Sequence, residues 1–175
     1  MDLDELDLRI LDVLQRDAAL TNQELAARVH ASPPTCLRRV RRLTEAGVIE
    51  RQVALVRPDA FGASLTAIVE ISLDNQAAES LDAFERRMRD EAAVLQCYRV
   101  SPGPDFVLVA QVPDMPAYHA LVHRAFTAQA NVRNVRTFFS VHRSKFDTRV
   151  AAPENRLSGR GPQAAPGTLP GTARP

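Results

Sequence analysis

Residues 21–49 read TNQELAARVHASPPTCLRRVRRLTEAGVI, and this stretch decides the fold of the first third of the chain. Thr21 stands three residues before Glu24, which is the spacing of a capping box at the start of a helix. Apolar residues then recur at helical spacing. The pattern predicts a short helix over about Asn22–His30.

The second half of the same stretch predicts another helix. Ser32 followed by Pro33 is typical of a helix start, because serine caps well and proline is favoured at the first helical position. Gly47 predicts the end of that helix near Ala46, because glycine readily adopts the left-handed conformation of a helix cap. A further apolar periodicity predicts a helix over roughly residues 4–16. Three short helices in this order indicate a helix-turn-helix.

After these helices the apolar pattern changes period. Val48–Ile49 and Val53–Val56 flank three polar residues, which predicts a short hairpin, or wing, beside the helices. Pro58, Asp59 and Gly62 then indicate a linker.

From residue 64 onward the chain predicts a second, mixed domain. Four apolar strands and two amphipathic helices alternate in the order β-α-β-β-α-β, which is the ferredoxin-like arrangement of the α+β class. One sheet face would carry the helices, and the other would need a partner. The predicted strands are Leu65–Leu73, Val94–Ser101, Phe106–Val112 and Val132–His142, the predicted helices are Ala77–Asp90 and one from Asp114 to about Ala128, and residues 102–105 form a turn.

The predicted organisation is residues 1–60 for the helical domain and its linker, 61–150 for the mixed domain and 151–175 for a tail. From Pro153 onward the tail holds five prolines and four glycines. Such a composition buries too little apolar surface to offset the entropy of ordering, so the sequence predicts disorder there.

The near-neutral charge of the 175-residue chain hides a strong polarity. Lys and Arg number 22 and Asp and Glu 21, for a net charge of +1. Residues 1–27 hold two arginines and seven acids, whereas residues 28–57 hold seven arginines and two acids. The third helix alone carries four arginines, which points to an anionic partner such as DNA.

In a helix-turn-helix this helix lies in the major groove with its N-terminal residues at base edges. We expect residues 34, 35, 38 and 42 to face outward. The apolar residues of this helix are expected on its inner face: Cys36, Leu37, Val40 and Leu43. Thr35 and Arg38 are the candidates for base contacts, since arginine pairs with guanine and a threonine methyl meets thymine. The alternative is a solvated basic face on an ordinary helix, whose arginines pair with Glu45 and with acids of the first helix. The predicted DNA-binding residues are Pro34, Thr35 and Arg38, with Arg28, Arg39, Arg42 and Arg51 for phosphates.

The sequence gives little support for secretion, membrane insertion, metal binding or catalysis. The acidic N-terminus is unlike a signal peptide, and no apolar run could span a membrane, so a cytoplasmic protein is expected. His119 and His123 are four residues apart without a metal-binding motif, and we expect surface histidines. Cys36 and Cys97 lie within apolar patterns and are expected to be buried, unreactive thiols. No cofactor, metal site or catalytic motif is predicted.

The sequence resembles the Lrp/AsnC family of transcriptional regulators over about residues 2–148. The matching segments include DELDLRIL at 4–11, SPPTCLRRV at 32–40, LTEAGVI at 43–49 and VLQCY at 94–98. They also include Asp105–Phe106, VPDM at 112–115 and VRT at 135–137. The resemblance implies a winged helix-turn-helix that binds double-stranded DNA at a palindromic operator. It also implies a ferredoxin-like regulation-of-amino-acid-metabolism (RAM) domain that forms homodimers and, in many members, octamers.

The resemblance further implies an amino-acid effector between subunits. The matching positions are Tyr98, Ser101, Gly103, Asp105 and Thr137. This chain departs from the family at Pro102, where glycine is usual, and proline offers no N–H to a ligand. A plain hairpin turn capped by Asp105 is the alternative.

Two further functions remain open. One is an effector-independent DNA-organising protein of the same fold. The other is a small-molecule enzyme, because ferredoxin-like domains also host catalysis.

Overall fold

The computed structural model describes residues 2–62, 64–128 and 131–151, with Asp59 described by its backbone only. Its described residues form two compact units, one of residues 2–54 and 146–151 and one of residues 55–145. The predicted disordered tail lies, apart from Ala151, outside the described residues. No helix in the described part of the chain is long and apolar enough to cross a membrane.

The first unit contains the three predicted helices: α1 is Glu5–Leu14, α2 is Asn22–Val29 and α3 is Pro33–Glu45. The predicted capping box opens α2, with the Glu24 N–H donating to the Thr21 hydroxyl oxygen at 3.3 Å and the Thr21 N–H donating to the Glu24 carboxylate at 2.7 Å. The three helices bury a small apolar core made of Ile10, Leu25, Ala26, Val29, Cys36 and Leu43.

The end of α3 confirms the role predicted for Gly47. Its φ is +70°, the Gly47 N–H donates to the Thr44 carbonyl at 3.0 Å, and the Val48 N–H donates to the Leu43 carbonyl at 2.9 Å. This pair of bonds is a Schellman motif, which satisfies two carbonyls at the helix end.

The predicted hairpin after α3 is wrong. Residues 48–57, all described, contain no strand, and Val53 and Leu55 are 62% and 64% exposed. The three residues between the two apolar runs, 50–52, include no Gly, Asn or Asp to make a tight turn. An isolated two-stranded hairpin is also marginal in water, so the apolar pattern alone does not form one.

The second unit confirms the predicted ferredoxin-like order. Its strands pair antiparallel in the order β2-β3-β1-β4. The strands are β1 Leu65–Leu73, β2 Val94–Arg99, β3 Phe106–Val112 and β4 Val132–Phe139, and the helices are α4 Ala78–Asp90 and α5 Met115–Leu121, which a π-helical segment, Val122–Thr127, continues.

One sheet face carries the helices and holds the core of this unit. Alternate residues of β1 and β3 are fully buried there, and Phe84 of α4 stacks on Phe106 of β3 with ring centroids 4.6 Å apart. Phe126 and Leu121 close the same core from the other helix. These alternating positions are what a half-buried antiparallel sheet requires.

The other sheet face is open in a single chain. Ile68 pairs with Val109 on one side and with Phe138 on the other, so the three side chains form a row across the sheet. Ile68 is 40% exposed and Phe138 42%, and Tyr98, in the next row of this face on β2, is 53% exposed. We call this surface, made of Ile68, Tyr98, Val107, Val109 and Phe138, the open sheet face.

Three predicted boundaries need correction. β2 ends at Arg99 and β4 at Phe139, both earlier than predicted. Residues 146–150, assigned to the mixed domain from sequence, lie instead with the helical unit. There the Gln15 side-chain amide donates to the Val150 carbonyl at 3.1 Å, and its oxygen accepts from the Val150 N–H at 2.7 Å.

Candidate functional site

The outward surface of α3 is the first candidate site. Pro34 and Arg38 are exposed, and Thr35 is half-buried with its hydroxyl 2.8 Å from that of Ser32. Among the described residues Arg38 has no hydrogen-bond or ion-pair partner. Its guanidinium is therefore available to a ligand in the solvent.

Two residues of this surface were missed from the sequence. Arg41 is 80% exposed and pairs with Glu45 at 3.1 Å, a solvated contact of small energy. Leu37 was expected in the core because it is apolar, yet it is 61% exposed. At about 100° per residue Leu37 lies next to Pro34 and Arg41 around the helix, so helical phase could have found both. We call Pro34, Leu37, Arg38 and Arg41 the outer face of α3.

Arg39 and Arg42, the other two arginines of α3, point toward α1 instead. Arg39 Nη1 donates to Asp7 Oδ1 at 3.0 Å and also to Asp4, and Arg42 Nη2 donates to Asp7 Oδ2. Asp7 is fully buried, and the Asp4 N–H also donates to its carboxylate, at 3.1 Å. We call Asp4, Asp7, Arg39 and Arg42 the Asp7 cluster.

The two arginines of this cluster differ in exposure. The Arg39 side chain is 18% exposed and that of Arg42 is 43%. Hydrogen bonds from Arg39 lower the pKa of the Asp4 carboxyl, and the bond to Asp4 raises the pKa of Arg39 further above its usual range. Both shifts favour the charged pair.

The two remaining arginines predicted to contact phosphates lie outside α3. Arg28 of α2 is half exposed, with Nη1 3.9 Å from a carboxylate oxygen of Asp17. Arg51 is exposed in the segment without strands after α3. Neither is drawn into the Asp7 cluster.

The start of α3 has few free donors for an anion. Pro33 and Pro34 occupy the first two helical positions and have no N–H. The first bond within the helix joins the Cys36 N–H to the Ser32 carbonyl at 3.0 Å. Contacts at this end of the helix therefore depend on side chains more than on backbone amides.

The turn between β2 and β3 is the second candidate site, and it contains Ser101, Gly103 and Asp105. Gly103 has φ +123° with open space where a side chain would stand, so glycine suits this conformation. Asp105 already makes two hydrogen bonds within the chain. Its Oδ2 accepts the Leu73 N–H at 2.7 Å, and its own N–H donates to the Ile71 carbonyl at 2.8 Å.

Tyr98 and Thr137 do not meet at this turn. Tyr98 lies on β2 and Thr137 on β4, which are opposite edges of the sheet. Tyr98 belongs to the open sheet face, and its hydroxyl donates to the Gln96 side-chain oxygen at 3.1 Å. Thr137 lies on the helix face, where its hydroxyl contacts that of Tyr118. A single chain thus separates the residues that the resemblance groups together.

The cysteines and histidines are the remaining candidates for reactive side chains. Burial raises the pKa of the Cys36 and Cys97 thiols, which keeps both protonated and poorly reactive. His119 and His123 are exposed, as predicted, and so is His142. Within residues 2–62, 64–128 and 131–151, no group of three or more His, Cys, Asp or Glu residues could hold a metal ion.

Both units match known domain families. Residues 3–50 match the winged helix-turn-helix DNA-binding model, and residues 66–150 match the Lrp/AsnC ligand-binding domain. The two domains define a DNA-binding transcriptional regulator with an attached ligand-binding domain.

Whole-chain comparisons agree with this class. An HTH-type transcriptional regulator of Haemophilus influenzae is 40% identical over 148 residues, covering 85% of this chain and 88% of that protein. The leucine-responsive regulatory protein of Escherichia coli K12 is 36% identical over 149 residues, covering 85% and 91%. The chain belongs to the Lrp/AsnC family of transcriptional regulators.

Solved structures share the fold. A transcriptional regulator of Neisseria meningitidis, determined in complex with L-Met, has a TM-score of 0.79 at 32% identity and covers 89% of this chain and 99% of its own. An AsnC family regulator of Agrobacterium tumefaciens has a TM-score of 0.79 at 34% identity, covering 85% and 97%.

Proposed function

We propose that this regulator reads DNA with the outer face of α3. The observation that carries the proposal is the exposed guanidinium of Arg38, which has no partner among the described residues, on a helix where Arg39 and Arg42 are bound to Asp7. Arg38 would donate to a guanine edge, and Thr35 would contact a neighbouring base. Arg28, Arg41 and Arg51 would contact phosphates.

Leu37 extends this proposal. An apolar side chain that is 61% exposed costs solvation unless it meets a partner. On a helix lying in the major groove, the natural apolar partner is the methyl group of thymine. The outer face would then combine one apolar contact with one guanine contact.

Binding-site selection from random-sequence duplexes tests the proposal at physiological salt. An enriched motif is expected, and Arg38→Ala should weaken binding to it about 10- to 100-fold, the size of one lost bidentate base contact. Arg86→Ala, an exposed arginine of α4 in the other unit, is the control and should bind normally. Enrichment of no motif would refute sequence-specific recognition.

We propose that the ligand-binding domain takes an amino acid and that two chains build the site. The L-Met complex of the Neisseria regulator supports the ligand class. The separation of Tyr98 from Thr137 in one chain supports a site shared between subunits. Ser101 and Gly103 would face the ligand from the turn, and Asp105 would hold the turn in place.

The second candidate function is an effector-independent DNA-organising protein, which Pro102 favours because it removes a backbone donor from the turn. Calorimetric titration with the twenty amino acids separates the two. Heat from one or a few of them is expected. Silence from all twenty would favour the organising role and leave DNA binding unaffected.

We further propose a homodimer that pairs through the open sheet face and presents two α3 helices to a palindromic site. Larger rings such as octamers would need additional contacts. The chain would act in the cytoplasm, where the DNA is, and as a regulator rather than an enzyme, because both of its matched segments are regulator domains.

A further inference from the structure

The four arginines of α3 fall into two pairs with different surroundings. Arg38 and Arg41 lie on the outer face, the second of them 80% exposed. Arg39 and Arg42 hold the carboxylate of Asp7, which is completely buried. Sequence alone shows four similar positive charges, whereas in the fold two of them bind a buried carboxylate.

Separating Arg39 and Arg42 from Asp7 would cost a large free energy. Moving a carboxylate out of water costs several kcal/mol unless charged partners and hydrogen bonds compensate. Asp7 receives that compensation from Arg39, from Arg42 and from the Asp4 N–H. A DNA phosphate that drew both arginines away would leave this charge buried and unpaired.

We propose that Asp7 is a positioning residue that withholds Arg39 and Arg42 from the DNA backbone. The proposal rests on the assignment of α3 to DNA and goes beyond it, since Asp7 itself touches no DNA. The two arginines carry no sequence information when they bind phosphates, because phosphate contacts are alike at every site. Holding them on Asp7 leaves recognition to the outer face and limits binding to random DNA.

The dependence of DNA affinity on salt measures this directly. The slope of log K against log [salt] changes by roughly 0.9 for each phosphate contact to duplex DNA. Asp7→Asn keeps the shape and a hydrogen-bonding oxygen but removes the charge that holds the arginines. We expect it to tighten binding to random-sequence duplex and to steepen the slope by roughly 1 to 2. A slope that stays the same or becomes shallower would overturn the proposal.

A matched pair of variants covers the case in which Asp7→Asn does not fold. Arg41→Gln and Arg42→Gln make the same change at adjacent positions of α3. Arg41→Gln should make the slope shallower by roughly 0.9, while Arg42→Gln should leave it almost unchanged. Equal losses in both variants would mean that Arg42 contacts phosphates fully and that Asp7 does not withhold it.

The wild-type protein separates this proposal from the assignment of α3. If the wild type binds no duplex at low salt, the DNA-binding role of α3 fails, and the role proposed for Asp7 fails with it. If it binds and Arg42→Gln lowers the slope as much as Arg41→Gln, only the role of Asp7 fails. Circular dichroism of each variant checks that the helices remain folded.

Discussion

The outer face of α3 and the turn between β2 and β3 are both candidate sites, but they are built in opposite ways. All four residues of the outer face lie within eight positions of one helix, so a single chain assembles them. The residues expected around the turn lie on two strands at opposite edges of a sheet. A site on one helix is complete in a monomer, whereas we propose that the second site requires another chain.

The strongest test of this contrast places a charge on the open sheet face. Phe138 is 42% exposed on that face, on the edge strand β4, and a buried, unpaired aspartate there would oppose sheet-to-sheet packing. Phe138→Asp should weaken dimerisation at least about 100-fold, or roughly 3 kcal/mol. Sedimentation velocity measures the oligomeric state, and calorimetry should show amino-acid binding lost with it.

Arg86→Asp provides the control for this variant. It introduces the same residue on an exposed position of α4, a helix packed on the opposite face of the sheet. It should remain a dimer and bind ligand normally. A Phe138→Asp protein that stays dimeric would contradict the pairing through the open sheet face.

The second test asks what Asp105 contributes at the turn. Its carboxylate accepts the Leu73 N–H at 2.7 Å, and that donor would be left without this partner in Asp105→Ala. The variant should lose about 2 kcal/mol of unfolding free energy, the usual cost of an unsatisfied, partly buried donor. Chemical denaturation measures the loss without any ligand present.

Asp105→Asn separates the hydrogen bond from the charge. Its side-chain oxygen still accepts from Leu73, so most of the stability should return. If Asp105→Ala is as stable as the wild type, the aspartate is free to serve a ligand, and the two sites differ less than the fold suggests.

The parts of the fold that could be predicted from the sequence are those formed by neighbouring residues. The capping box at Thr21, the glycine at position 47 and the alternation along β1 each involve neighbouring residues, and each appears in the structure. The hairpin after α3 failed because an apolar pattern does not form strands without a turn. The pairing of α3 arginines with acids of the first helix was predicted only as the alternative, and the sequence did not show which residues meet, since they lie more than 30 positions apart.

The same limit applies to function. The position of Arg38 around the helix places it outward, as predicted. The same rule places Leu37 outward, but Leu37 was assigned to the core because its side chain is apolar. Arg39 and Arg42 were assigned to phosphates because nothing local distinguishes them from Arg38. For the turn, Gly103 was predictable from its position, whereas the hydrogen bond from Leu73 to Asp105 joins residues 32 positions apart.

The third test uses acid to probe the Asp7 cluster, whose two arginines lie on the same helix as the first site. Bonding to Arg39 lowers the pKa of Asp4 below its ordinary value of 3.8. A depressed carboxyl pKa stabilises the fold above the unfolded-state pKa, and this contribution disappears as pH falls through the folded-state pKa. We therefore expect the thermal stability of the first unit to drop below about pH 4.

Asp4→Asn should remove this part of the pH dependence. The Asp4 side chain is 53% exposed, so the effect is smaller than that at Asp105, below about 1 kcal/mol. Thermal unfolding of both proteins at pH 7 and pH 3 gives the comparison. An identical loss in the two proteins would show that Asp4 contributes nothing through its charge.

The smallest expected effect concerns the turn that leads into α3. His30 caps α2 with φ 54° and ψ 50°, a left-handed conformation that costs a side-chain-bearing residue about 1 kcal/mol. Glycine adopts it freely but loses more entropy on folding, so His30→Gly should stabilise the first unit by about 0.5 kcal/mol. Thermal unfolding detects this gain, and DNA affinity should not change, because His30 is outside the outer face of α3. A loss of DNA affinity without a loss of stability would instead mean that the imidazole contacts DNA and that the first site extends beyond a single helix.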